Sequence, residues 1–144
     1  MMAGQLTAPR IIWAALLAST LIYVVVLELT ATSGEPHWEM LLVPLAIAGA
    51  STAGASLVAP GIVLRRHLAT RDDPAATSTD SAGVYLVTLI IALALAESVA
   101  IFGLVLGLQG APPKVVMPFF TVAWVLMLAR FPTQEKLDAF VSGR

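Results

Sequence analysis

The chain has 144 residues, 58% of them hydrophobic and 12% charged, with 8 Lys and Arg against 9 Asp and Glu and a mean hydropathy of +0.89. These figures exclude an ordinary water-soluble domain. The absence of cysteine excludes a disulfide framework, a thiolate nucleophile and a Cys-built metal site.

Crossing a hydrocarbon core of roughly 30 Å takes about 20 apolar residues, so four spans consume most of the sequence and leave no large soluble domain. The first predicted span covers about residues 11–30. Arg10 before it and small residues near its end resemble a secretory leader, but the run is longer than a leader core and carries Trp13 and Tyr23, so it reads as a span. Turn chemistry at 32–37 predicts a short hairpin loop. The second span covers 38–64, with Pro44 in its first turns and Pro60-Gly61 near its end, and closes at Arg65-Arg66-His67. Its prolines predict kinks and not breaks. A polar connection at 67–82 follows. The third span, 84–108, ends at Gln109-Gly110-Ala111-Pro112-Pro113, and the fourth, 115–129, ends before Arg130 and Pro132. The tail from Thr133 allows one amphipathic turn.

Cationic loops resist translocation, and in a four-span arrangement Arg10, Arg65, Arg66, Arg71, Arg130, Lys136 and Arg144 fall on one side. Only Lys114 falls on the other, with Glu35 and Glu39. The expected fold is therefore an all-α, four-helix integral membrane protein in a bacterial inner membrane. Both termini and the 67–82 loop are expected in the cytoplasm.

The two halves repeat. A shift of 79 residues sets Ser19 on Ser98, Ile22 on Ile101, Tyr23 on Phe102 and Val26 on Val105, so the expected arrangement is two tandem helical hairpins. The copies differ where the third span has Glu97 and the first has Ala18.

Glu97 is near the middle of its span. An ionised carboxylate there costs at least about 2.5 kcal/mol, so it must be protonated, paired or in contact with water. No Lys, Arg or His stands at comparable depth, which leaves two roles: a proton or cation site with Ser98, or a carboxyl that fixes helix contacts. The second span carries Ala46-Ile47-Ala48-Gly49-Ala50-Ser51-Thr52-Ala53-Gly54-Ala55-Ser56. Side chains this small let helix backbones approach closely, so Gly49, Ala50, Ala53 and Gly54, with Gly103 and Gly107 of the third span, are the expected packing or oligomerisation positions.

The run Ala96-Glu97-Ser98-Val99-Ala100-Ile101-Phe102-Gly103-Leu104-Val105 resembles the ion-binding helix of the proteolipid, or c, subunits of F-type and V-type rotary ATPases. The small-residue second span resembles the inner helix of the same proteins. The likeness covers the second and third spans. It implies a homo-oligomeric ring with small-residue helices inside and Glu97 on outer helices at mid-membrane depth. The 67–82 loop has no Arg-Gln-Pro type motif for a rotor stalk, so the expectation is a c-subunit-like ring protein and not the ATP synthase rotor. A small proton or ion transporter, and an accessory subunit of a larger membrane complex, are the alternatives. Thr20, Ser51, Thr52, Ser56, Thr88 and Thr121 are the candidate lining of a transport path.

An enzyme is not expected, because the chain has no nucleophile–base pair or phosphate loop and His37 and His67 fall at opposite faces. No cofactor, metal or nucleic-acid partner is expected; the expected partners are membrane lipids and other copies of the chain.

Overall fold

The computed structural model describes residues 6–30, 38–69 and 78–142. Five helices follow one another: α1 (Thr7–Thr30), α2 (Trp38–Ala69), α3 (Ser78–Leu108), α4 (Pro113–Ala129) and α5 (Gln134–Ser142). The described residues contain no strand. Three helices, α1, α2 and α3, are long and apolar enough to cross a membrane. The fourth, α4, is apolar but only 17 residues long, or about 25 Å at the α-helical rise.

Three helices extend past the apolar runs that predict them. The first begins at Thr7, the second continues to Ala69, and the third starts at Ser78. Hydropathy marks the part of a helix that sheds water, whereas backbone hydrogen bonding carries on through polar residues at its ends. Parts of the predicted 67–82 connection are therefore helical. Residues 70–77, the 32–37 loop with Glu35 and His37, and Arg144 lie outside the described residues.

The turn between α3 and α4 follows from its sequence. Gly110 takes a left-handed φ of 84°, Ala111 N–H reaches back to Leu106 O at 3.0 Å, and Gly110 N–H reaches Gly107 O at 3.0 Å. This is a Schellman closure, which uses a glycine because a Cβ disfavours that φ. Pro112 in extended geometry then caps α4, and Pro113 occupies the first turn, where a missing N–H leaves nothing unpaired.

α3 is the centre of the assembly. Of its apolar window 44% is buried, against 6% for α1 and 11% for α2. α1 and α2 are consecutive in sequence, yet each packs chiefly on α3 and not on the other, whereas α3 and α4 pack closely together. The two halves of the repeat thus differ in how their helices meet. Contacts advance in step from Ser19–Glu97 to Leu27–Gly107, so α1 and α3 run the same way. Ser56–Ala92 and Gly49–Phe102 show that α2 runs against α3.

Both prolines of α2 sit inside a continuous helix. Pro60 has no N–H for the carbonyl of Ser56 one turn earlier, which strands an acceptor among apolar groups. Arg130, just past α4, fills the gap: its Nη2 donates to Ser56 O at 3.0 Å and to Leu57 O at 3.3 Å. The end of α4 is closed in the same manner by Lys136 Nζ, which donates to Ala129 O at 2.9 Å and to Phe131 O at 3.1 Å. Leu6, Leu137, Tyr85 and Leu89 close this end of the bundle as part of one buried cluster.

Replacing Arg130 by Met is expected to destabilise the protein by about 2 kcal/mol, the scale of a charged hydrogen bond left unmade. In a Pro60→Ala background, which returns an N–H to Ser56 O, the same change is expected to cost roughly half as much. Reversible unfolding of the four proteins in mixed micelles measures that coupling.

Candidate functional site

Glu97 belongs to α3, about 21 Å along the helix from Gly83 and about 17 Å from Leu108, the ends of the apolar window. Its carboxylate faces α1. Ser19 Oγ donates to Glu97 Oε1 at 2.6 Å, and Tyr23 Oη donates to the same oxygen at 2.9 Å. Ser19 and Tyr23 are one helical turn apart, so one face of α1 presents both hydroxyls together. All three residues are partly buried. Two O–H donors on one oxygen lower the energy of a carboxyl group in an apolar setting without bringing in a cation.

Ser98 is placed differently. Its hydroxyl donates to Ala94 O of its own helix at 2.9 Å and so is not brought to the Glu97 carboxylate. The hydroxyls considered as a transport lining are spent in similar ways. Thr52, Thr88 and Thr121 bond the carbonyls of Ala48, Val84 and Met117 one turn back, and Ser56 donates across to Ala92 O of α3 at 2.9 Å. Thr20 donates to Leu17 O and accepts the indole N–H of Trp124 at 3.0 Å, which ties α4 to α1. A second indole, Trp13, ties the same two helices by donating to Met127 O at 2.8 Å.

The small residues divide into two groups. Gly103 lies against α4, where a Cβ would meet Phe119 Cβ at 2.8 Å, and a Cβ on Gly107 would meet the Leu27 side chain at 2.5 Å. A Cβ on Gly49 would stand 3.2 Å from the Phe119 ring. Ala53 packs against both buried clusters. Ala50 and Gly54 face outward, and Gly54 has nothing within 4 Å of a built Cβ. Four of the six positions are therefore used inside the chain, and two stand on its outer surface.

Compared with known protein families, with curated proteins and with solved structures, the chain finds no match.

Sequence reasoning singled out Glu97 but not its partners Ser19 and Tyr23. The signal was in the repeat: the 79-residue shift sets Ala18 over Glu97, so if the two helices run side by side in the same direction, Ser19 stands at the carboxylate's level. From the sequence Arg130 reads only as a topology anchor, because its role depends on a carbonyl opened by a proline about seventy positions earlier.

Two predictions concern this region. In a double-mutant cycle, Glu97→Leu and Tyr23→Phe are expected to couple by about 0.6 to 2 kcal/mol, the range of polar contacts between helices in lipid, as read by unfolding in mixed micelles. Gly103→Val is expected to lower stability by about 1 to 3 kcal/mol through overpacking against Phe119, while Gly54→Ala, which meets nothing of its own chain, leaves the stability of the dissociated single chain unchanged, as thermal melts in detergent would record.

Proposed function

We propose that this chain is an integral membrane protein of four spans with both ends in the cytoplasm, and that Glu97 is its functional group, a protonatable carboxyl held at mid-membrane depth. The observation that carries this reading is the pair of hydroxyl donors from Ser19 and Tyr23 on Glu97 Oε1, in a place where the sequence supplies no cation. A carboxyl so placed binds and releases a proton without needing a fixed positive partner, which is the chemistry that the c-subunit resemblance implies for the same residue.

Support for the membrane comes from the surface. Ile22, Leu29, Met40, Val43, Ile47 and Val125 are each more than half exposed, a coat that water would penalise and acyl chains would not. Support for the orientation comes from Arg10, Arg65, Arg66, Arg130 and Lys136, which stand at the same end of the helices. α4 is short for a span, and on this reading it crosses with the bilayer locally thinned or with its polar flanks reaching the interface.

Copies of the chain are proposed to associate through the outward face of α2, where Ala50 and Gly54 leave room for a neighbouring backbone. The closed ring is the form that the resemblance implies. In such a ring α1 would cover the carboxylate, so proton exchange would require α1 to move or water to enter beside it. Five of the six hydroxyls considered as a channel lining, those of Thr20, Thr52, Ser56, Thr88 and Thr121, donate to helix carbonyls, and no observation favours the transporter reading over this one.

A hydrophobic carbodiimide, which reacts with protonated carboxyls, is expected to label Glu97 in membranes near neutral pH and to leave Glu97→Gln unlabelled. Tyr23→Phe is expected to change the pH dependence of that labelling. Native mass spectrometry from nanodiscs is expected to show a single stoichiometry above two. A monomer sinks the assembly, and absence of labelling at all pH values sinks the proton site.

A further inference from the structure

At the end of the bundle where α3 begins, a groove with a volume of about 300 Å³ runs between α2, α3 and α4. One wall is a stripe of α3 formed by Tyr85, Thr88, Leu89 and Ala92, residues that recur at helical spacing over two turns, or about 10 Å. Pro60 forms the facing wall. The charges on its lining are both positive: Arg130 and Lys136.

These two cations have settled positions. Arg130 is fixed by the carbonyls of Ser56 and Leu57, and Lys136 by those of Ala129 and Phe131. Carbonyl oxygens satisfy N–H groups but do not cancel a unit charge, and both side chains have more N–H groups than these bonds use. No carboxylate is among the lining residues; Glu135 and Asp138, the acids of the same short helix, do not face the groove. Two uncancelled positive charges above a strip of Leu89 and Ala92 make a site that is anion-binding at one end and apolar at the other. Arg65, exposed at the end of α2, adds to the positive field on the same side.

We propose that this groove binds one anionic phospholipid, with its phosphate at Arg130 and Lys136 and the first carbons of an acyl chain against Leu89 and Ala92. Proteins use Arg and Lys in this way because phosphate oxygens accept several charged hydrogen bonds at once. The inference rests on the membrane reading, since the acyl chain reaches the groove only from a bilayer. A free phosphate offers the same oxygens without the chain, so the two sources separate by experiment.

The test uses the full-length chain in nanodiscs containing equal amounts of phosphatidylglycerol and phosphatidylcholine, followed by gentle delipidation and native mass spectrometry. One phosphatidylglycerol is expected to be retained about fivefold more often than phosphatidylcholine, the preference of about one cation near an anionic headgroup. Lys136→Glu, at an exposed position, is expected to abolish the preference. Ala129→Trp, also exposed, is expected to lower retention of both lipids by filling the groove mouth. Both positions are exposed, and Lys136→Gln, which keeps an N–H donor for Ala129 O and Phe131 O but removes the charge, is expected to lose the preference as well, which assigns the loss to the charge and not to the end of α4. Inorganic phosphate at millimolar concentration is expected not to displace the lipid.

Equal retention of the two lipids, or a Lys136→Glu protein that keeps the preference, overturns the inference. Displacement by inorganic phosphate alone reassigns the site to a free anion and overturns it also. Extraction of the protein from membranes by alkaline carbonate without detergent would overturn the membrane reading itself, a failure separate from equal lipid retention.

Discussion

In the membrane setting proposed above, helices with apolar surfaces on every side gain nothing from hiding those surfaces from lipid, so what holds them together is close backbone approach and hydrogen bonds that lipid cannot offer. Among the four long helices α1 to α4, most packed pairs have such a bond. Ser19 and Tyr23 of α1 donate to Glu97 of α3, Ser56 of α2 donates to Ala92 O of α3, the indoles of Trp13 and Trp124 join α1 to α4, and Arg130 joins the end of α4 to α2. α3 and α4 are the exception. They meet through Gly103, whose missing side chain lets Phe119 and Phe120 close over the backbone, and through a short turn that fixes their register.

This division explains why α3 is central and the small-residue α2 is not. α3 supplies the acceptors, a carboxylate and a backbone carbonyl, that the flanking helices reach for. α2 brings Gly49, Ala53 and Ser56 to the interior and turns Ala50 and Gly54 outward. A helix with small residues all round has no single face that must be buried, so where it packs depends on a few polar bonds and on any neighbour beyond the chain.

The sequence was informative where one residue determines one local outcome. Gly110 followed by Pro112-Pro113 specifies a glycine closure and a proline-capped helix, and both are present. Pro44 and Pro60 predict kinks and not breaks, and α2 is continuous through both. Hydropathy located α1, α2 and α3 but not where their helices stop, because polar residues such as Thr7 and Arg66 extend a helix without extending an apolar run. Least legible were contacts across the chain. Nothing local to Pro60 names Arg130 as the donor for Ser56 O, and nothing local to Glu97 names Tyr23. Such pairs depend on which helices become neighbours and at what depth, and only the offset between the two halves carried a trace of it.

The geometry at Glu97 makes its two oxygens unequal. An oxygen of a carboxylate has two lone pairs, and the hydroxyls of Ser19 and Tyr23 both approach Oε1. A further donor is therefore directed to Oε2. Oε1 holds α1 against α3, and Oε2 is the side on which the carboxyl meets anything beyond that contact.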